Sequence, residues 1–305
     1  IKATLDTLKN TIIGTVTITY TNNSPYDLPF VWLQMDQNTF RKDSRGTVLY
    51  PPTDRNGVRT YTEGYVLKDV KFDNANAKYI VNDTRMQIQA PKPVKARGGR
   101  AVIHIDYSFE IPTHGKDRMG RVKTNNGTIY TLAQWYPRMA VLDEVDGWNN
   151  LPYIGTGEFY LEYGNFDYEI TAPSNMTVVG SGLLQNPAEV LTKTERDRLA
   201  LAQKSDKTVM ILTKDEMLSG KNHLPGKNGL LTWRFRIENS RDVAWAASAA
   251  FIWDAAKMNL PNGKTALAQS VYLEENSGQD GYGRSTEYIK GAIEFYSKKL
   301  YPYPY

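Results

Sequence analysis

The chain contains no cysteine. Disulfides, zinc–thiolate centres and thiol nucleophiles are therefore excluded. Histidine is almost as scarce: His104, His114 and His223 are the three present. None stands four residues from another, so the His-Glu-x-x-His arrangement that puts two imidazoles on one helical face is missing. Charge of one sign is missing too. Lys plus Arg number 37 against 33 acids, a net +4 spread along 305 residues, which leaves no basic footprint for nucleic acid. No apolar run is long enough to span a bilayer, and no basic-then-apolar leader precedes the strand-like opening Ile1-Lys2-Ala3-Thr4-Leu5.

What is present is aromatic and alternating. Residues 11 to 21 set Val16, Ile18 and Tyr20 between threonines, the pattern of a half-buried strand. The run 101 to 111 is clearer, with Ile103, Ile105, Tyr107, Phe109 and Ile111 on one face and His104, Asp106, Ser108 and Glu110 on the other. Further strands are expected at 64–72, 78–81, 85–90, 177–180, 208–213 and 232–238, with Trp233, Phe235 and Ile237 inward. Another is expected at 158–163 (Glu158-Phe159-Tyr160-Leu161-Glu162-Tyr163), and one doubly covered strand at 243–251. Many short strands separated by turn residues predict a mainly β, antiparallel sandwich or saddle.

Two helices interrupt this pattern. Thr192 and Glu195 form a capping-box signature ahead of a surface helix at 194–204. Residues 284–300 read as an amphipathic helix with Ser285 as N-cap and Tyr288, Ile289, Ala292, Ile293, Phe295 and Tyr296 toward a core. Residues 40–63 read as a long exposed loop, and Asp215-Glu216-Met217 as the start of another. The cluster Asp143, Glu144, Asp146 reads as a solvated turn rather than a calcium site. The strongest boundary is Pro261-Asn262-Gly263-Lys264, which divides an N-terminal β domain, 1–262, from a strand and helix, 263–305, that open a second domain.

The densest aromatic stretch, 130–163, carries words that resemble a known family. Gln134-Trp135-Tyr136-Pro137-Arg138-Met139, the Asp143 to Asn149 run and Gly157-Glu158-Phe159-Tyr160-Leu161-Glu162-Tyr163 resemble the N-terminal domain of bacterial members of the aminopeptidase N family of zinc metallopeptidases (gluzincins). Thr19 to Ser24, Arg241 to Ser248 and Tyr301-Pro302-Tyr303-Pro304-Tyr305 agree in order.

The resemblance implies a β domain that lines the substrate cleft, followed by the start of a thermolysin-like α/β catalytic domain cut before the zinc motif. Zinc, general base and transition-state tyrosine are then expected outside these 305 residues, and no catalytic or metal residue is assigned within them. The implied partners are a peptide substrate and the chain's own catalytic domain, and the periplasm or cell envelope is favoured over the cytoplasm. A glutamine followed two positions later by glutamate or glutamine shapes the first subsite in that family and holds the substrate amine. Gln134 is the matching candidate, and Trp135, Tyr136 and Arg138 either line the cleft or brace its loop. If Gln134 is the first of the pair its partner is Tyr136; if it is the second, the first is Leu132. Competing readings are a stand-alone carbohydrate- or protein-binding sandwich and a zinc-less scaffold relative.

Overall fold

The computed structural model describes every residue except 50–52, 55–56, 59, 116–117, 156, 158–159, 262, 279 and 304–305. Its largest element is an eight-stranded sheet. In spatial order the strands are Leu183–Leu184, Leu230–Ser240, Gly164–Pro173, Lys2–Asp6, Thr11–Asn22, Gly99–Glu110, Val66–Phe72 and Ala75–Asn76. Neighbours run antiparallel except Lys2–Asp6, which lies parallel to Gly164–Pro173. The alternation read from 101–111 is realised: Ile103, Ile105, Tyr107, Phe109 and Ile111 are buried, while His104, Asp106 and Ser108 are half-buried on the opposite face. Each such apolar side chain contributes about 1.5–3 kcal/mol by leaving water. Gly14 makes room for one of them, since a Cβ there would sit 2.6 Å from Cζ of Tyr107.

Smaller antiparallel sheets pack around this one. A four-stranded sheet holds Arg138–Met139, Leu28–Gln34, Arg85–Val94 and Tyr79–Asn82. A five-stranded sheet holds His114–Gly115, Met119–Thr124, Gly127–Leu132, Trp245–Ser248 and Thr177–Gly180. A three-stranded sheet joins Val209–Leu212, Phe251–Asn259 and Thr265–Leu273. The fold is therefore mainly β, with several antiparallel sheets and few helices. Among the described residues no helix is long and apolar enough to cross a membrane.

Some local expectations change. The run at 243–251 is two strands: the chain leaves the five-stranded sheet after Ser248, whose hydroxyl accepts from the Ala250 N–H at 3.0 Å, and enters the three-stranded sheet at Phe251. Tyr160 to Tyr163 form no strand, because the partner Leu230–Ser240 ends opposite Gly164, where pairing begins; Glu158 and Phe159 lie outside the described residues. The 40–63 segment includes the helix Arg45–Leu49 and begins on a buried 3-10 turn, Asp36–Phe40. Lys214–Leu218 is a helix, not a loop, closed by a second capping box between Thr213 and Glu216.

The last helix spans Ser285–Lys299, and Ser285 is its first residue rather than its cap; Arg284 precedes it without a side-chain capping bond. Its inward face differs from the expected one. Thr286 and Ser297 are buried and Ile293 packs beside Met258, Leu260 and Ala268, whereas Tyr288, Ile289, Ala292, Phe295 and Tyr296 stay exposed. The cause is polar: Thr286 donates to Asp254 at 2.5 Å and accepts from the Ser270 hydroxyl at 2.8 Å, drawing that side of the helix onto the three-stranded sheet.

Candidate substrate-facing site

The strand Gly127–Leu132 is locked to Trp245–Ser248 with Tyr130 opposite Ala247, Thr131 opposite Ala246 and Leu132 opposite Trp245. Two stretches far apart in sequence thus form one surface. Beside it opens a groove of about 410 Å³ lined by Thr131, Leu132, Ala133, Ala246, Gln269 and Val271, among others. Immediately after this wall the chain turns at Gln134, which adopts a left-handed backbone with φ of 57°. A non-glycine residue held there costs on the order of 1–3 kcal/mol and persists only where its surroundings fix it.

Two side chains supply that hold. The Gln134 carbonyl accepts from Gln37 Nε2 at 2.7 Å and from the Tyr65 hydroxyl at 3.1 Å. The Gln134 side chain is itself buried, next to Tyr153. Burial raises the Tyr153 phenol above its ordinary value, and the Gln134 amide pulls it partly back.

The three residues that follow turn inward. Trp135 is fully buried, donates from Nε1 to the Val243 carbonyl at 2.9 Å, and meets Tyr136 and Trp245 edge to face. Tyr136 donates its hydroxyl to Asp242 Oδ1 at 2.5 Å. Arg138 lies between two carboxylates: Nε and Nη2 reach Asp36 Oδ2 at 3.1 and 2.8 Å, and Nη1 reaches Asp242 Oδ2 at 2.6 Å. Burial disfavours the guanidinium charge, but Asp36 and Asp242 more than offset it and raise its pKa. Burial dominates at Asp36, whose carboxyl is raised even with Arg138 beside it.

Of the four residues singled out in the sequence, Gln134 therefore stands at the end of the groove wall. Trp135, Tyr136 and Arg138 form the buried bracket behind it, because their polar atoms find partners in Asp36, Asp242 and Val243 and not in solvent. Apart from Leu132, the groove lining and the two aspartates carried no expectation. Asp242 lay in view inside the Arg241 to Ser248 word; Asp36 carries no sequence pattern that marks it.

The histidines do not build a peptidase zinc centre. His223 is buried, its Nδ1 2.8 Å from Glu195 Oε1 and its Nε2 2.9 Å from the Thr177 hydroxyl. The carboxylate that caps the helix Lys193–Ala202 thus has a buried imidazole as its partner. His114 starts a two-residue strand, and His104 lies on the outer face of the large sheet. The acidic turn is as read, with Asp143 Oδ1 accepting from the N–H groups of Val145 and Asp146 at 3.0 and 2.9 Å.

No family model and no curated protein matches this sequence. Solved structures do match it in fold. An M1 zinc metallopeptidase mutant from Deinococcus radiodurans bound to a Tyr-Ser-Ala substrate superposes with a TM-score of 0.52 at 12% identity, covering 99% of this chain and 53% of the other. A two-domain M1 zinc metallopeptidase mutant bound to L-tryptophan gives 0.54 at 12% identity over 99% and 53%. The same description bound to L-arginine gives 0.53 at 13% over 99% and 52%. The chain thus has the fold of the N-terminal half of M1 zinc metallopeptidases, and it spans about half the length of the proteins it matches.

Proposed function

We propose that these residues form the substrate-lining N-terminal part of a zinc-dependent aminopeptidase, inactive alone toward peptides because its two-histidine metal site lies in further sequence. The observation that carries this reading is the Gln134 turn: a left-handed glutamine, pinned by Gln37 and Tyr65, at the end of a groove wall made by Thr131, Leu132 and Ala133. An exopeptidase needs a rigid lip that fixes one side chain and one ammonium group at the cleft mouth. In this proposal Gln134 shapes that lip, Leu132 gives the first subsite an apolar wall, and Trp135, Tyr136 and Arg138 act as positioning residues.

Among the described residues, five of the exposed rings, Tyr282, Tyr288, Phe295, Tyr296 and Tyr301, lie in or beside the last helix, while Tyr26, Tyr79, Tyr160 and Tyr163 lie elsewhere in the chain. Only Tyr79 of these nine belongs to a strand, which favours this reading over a carbohydrate-binding module with rings arrayed along a sheet.

The test uses the full-length protein that carries these residues, with alanyl and leucyl chromogenic amides and their N-acetylated counterparts. Gln134→Ala is expected to lower kcat/KM for the free-amine substrates by about 10–100-fold, because losing the buried amide loosens the turn that positions the lip. Bound zinc should be unchanged. Hydrolysis indifferent to Gln134 would remove its subsite role, and absence of both zinc and hydrolysis would turn the reading toward the scaffold alternative.

A further inference from the structure

The outer face of the eight-stranded sheet carries a group of side chains that the substrate-facing reading leaves unused. His104 and Asp106 stand two residues apart on Gly99–Glu110 and so point the same way. In register, His104 faces Thr17 on one side and Lys71 on the other, and Asp106 faces Thr15 and Asp69. One donor atom each from Asp69, His104 and Asp106 lies within 4.8 Å of the other two.

Four features distinguish this group from an ordinary solvated face. First, Asp106 and Asp69 are direct cross-strand partners; like charges so placed destabilise a sheet unless a cation stands between them. Second, a β-bulge falls between Asp106 and Tyr107, where the pairing with Val66–Phe72 shifts register; bulges re-aim side chains and recur near functional sites. Third, His104 Nε2 is 3.3 Å from Asp106 Oδ1, close to the roughly 3.4 Å that separates two ligands of a tetrahedral zinc ion with bonds near 2.1 Å.

The fourth feature is the support supplied by a third strand. The Thr17 hydroxyl lies 3.2 Å from His104 Nδ1, and Thr15 donates to Asp106 Oδ1 at 2.5 Å. A ligating histidine is ordinarily held by a hydrogen bond at its other ring nitrogen. Thr17 is placed to do this, leaving Nε2 toward the carboxylates.

We propose that His104, Asp106 and Asp69 form a divalent-cation site of zinc type on the sheet's outer face, completed by water and separate from any catalytic metal. Imidazole with two carboxylates suits zinc better than magnesium or calcium, which take all-oxygen shells. Lys71, with Nζ 2.5 Å from Asp69 Oδ2, holds part of the site in the ion's place. It moves aside on binding, so it weakens affinity. The bound ion ties the strands Gly99–Glu110 and Val66–Phe72 together at their bulge.

The experiment uses the 305-residue chain, in which no His-Glu-x-x-His motif competes for metal, with zinc chloride at neutral pH in equilibrium dialysis. One zinc per chain is expected. His104→Ala and Asp106→Asn should each weaken binding at least tenfold, Thr17→Val should weaken it less, His114→Ala should leave it unchanged, and Lys71→Met should tighten it. Zinc should raise the Tm of the wild type but not of His104→Ala. In the wild-type chain, which needs no substitution to fold, zinc should move the imidazole NMR signals of His104 and spare those of His114 and His223. Zinc uptake that persists in both His104→Ala and Asp106→Asn, a shift of another imidazole, or no uptake at all would overturn the site.

Discussion

Arg138 is held by Asp36, buried with it, on one side and by half-buried Asp242 on the other. Arg138→Met leaves two carboxylates without their cation, and removing one partner of a buried pair typically costs about 3–5 kcal/mol. The expected result is a lower midpoint in urea denaturation with the far-UV spectrum retained below the transition. Tyr136→Phe should cost less, about 1.5–3 kcal/mol for one hydrogen bond to a charged group. The sequence pointed to this stretch by its aromatic density, yet it placed Trp135, Tyr136 and Arg138 at a cleft or a brace without deciding between them. Around a turn there is no period of two or 3.6 to say which side chain faces inward. The partners Asp36 and Asp242 stand about a hundred residues away from Arg138, beyond any local pattern.

At the scale of elements, the helix Lys193–Ala202 shows what local chemistry does specify. Its capping box is formed as expected: Thr192 accepts from the Glu195 N–H, and Glu195 Oε2 accepts from the Thr192 N–H at 2.7 Å. Thr192→Ala should cost about 1 kcal/mol. Glu195→Ala should cost more, because the same carboxylate also faces buried His223. Burial opposes the Glu195 charge, but His223 and Thr192 outweigh it and hold the carboxyl below its ordinary value of 4.5. A carboxylate depressed in the folded state contributes stability that is present above its ordinary value and lost as pH falls through the folded one. A pH series of thermal melts should therefore show the Glu195→Ala penalty at neutral pH and its disappearance in acid. The strand Gly99–Glu110 was equally legible, since a single alternating period decides both its type and its buried face. The short helix Lys214–Leu218 was not, because one turn supplies a cap signature but too few residues to show a period.

Across the whole molecule, the expected boundary at Pro261-Asn262-Gly263-Lys264, of which Asn262 lies outside the described residues, stands between two strands that pair with each other. Phe251–Asn259 pairs with Thr265–Leu273 along nine positions, from Phe251 opposite Leu273 to Asn259 opposite Thr265. The buried Asp254 takes both of its side-chain donors from beyond that point, Tyr272 and Thr286. Burial raises Asp254, and the two hydroxyls partly counter this. A carboxyl raised in the folded state favours the fold at low pH and loses that contribution as pH rises through the folded value. A chain ending at residue 262 should therefore melt below the 305-residue chain, with the difference narrowing from mildly acidic to neutral pH, because only the intact chain keeps Asp254 covered and raised. Long-range pairing of this kind was not legible, since Pro261-Asn262-Gly263 reads equally as a linker or a tight connection.

The parallel neighbour in the large sheet carries a consequence for the order of assembly. Lys2–Asp6 can zip at once onto Thr11–Asn22, but its other edge is completed by Gly164–Pro173. At ribosomal rates of about 5–20 residues per second, that edge waits roughly ten to thirty seconds for its mate to be made. Until then the nascent hairpin offers unpaired backbone groups along Lys2 to Thr4, the kind of edge that recruits strands from other molecules. The yield of soluble protein is thus expected to depend on translation speed between residues 22 and 173, with slower synthesis lengthening the exposure.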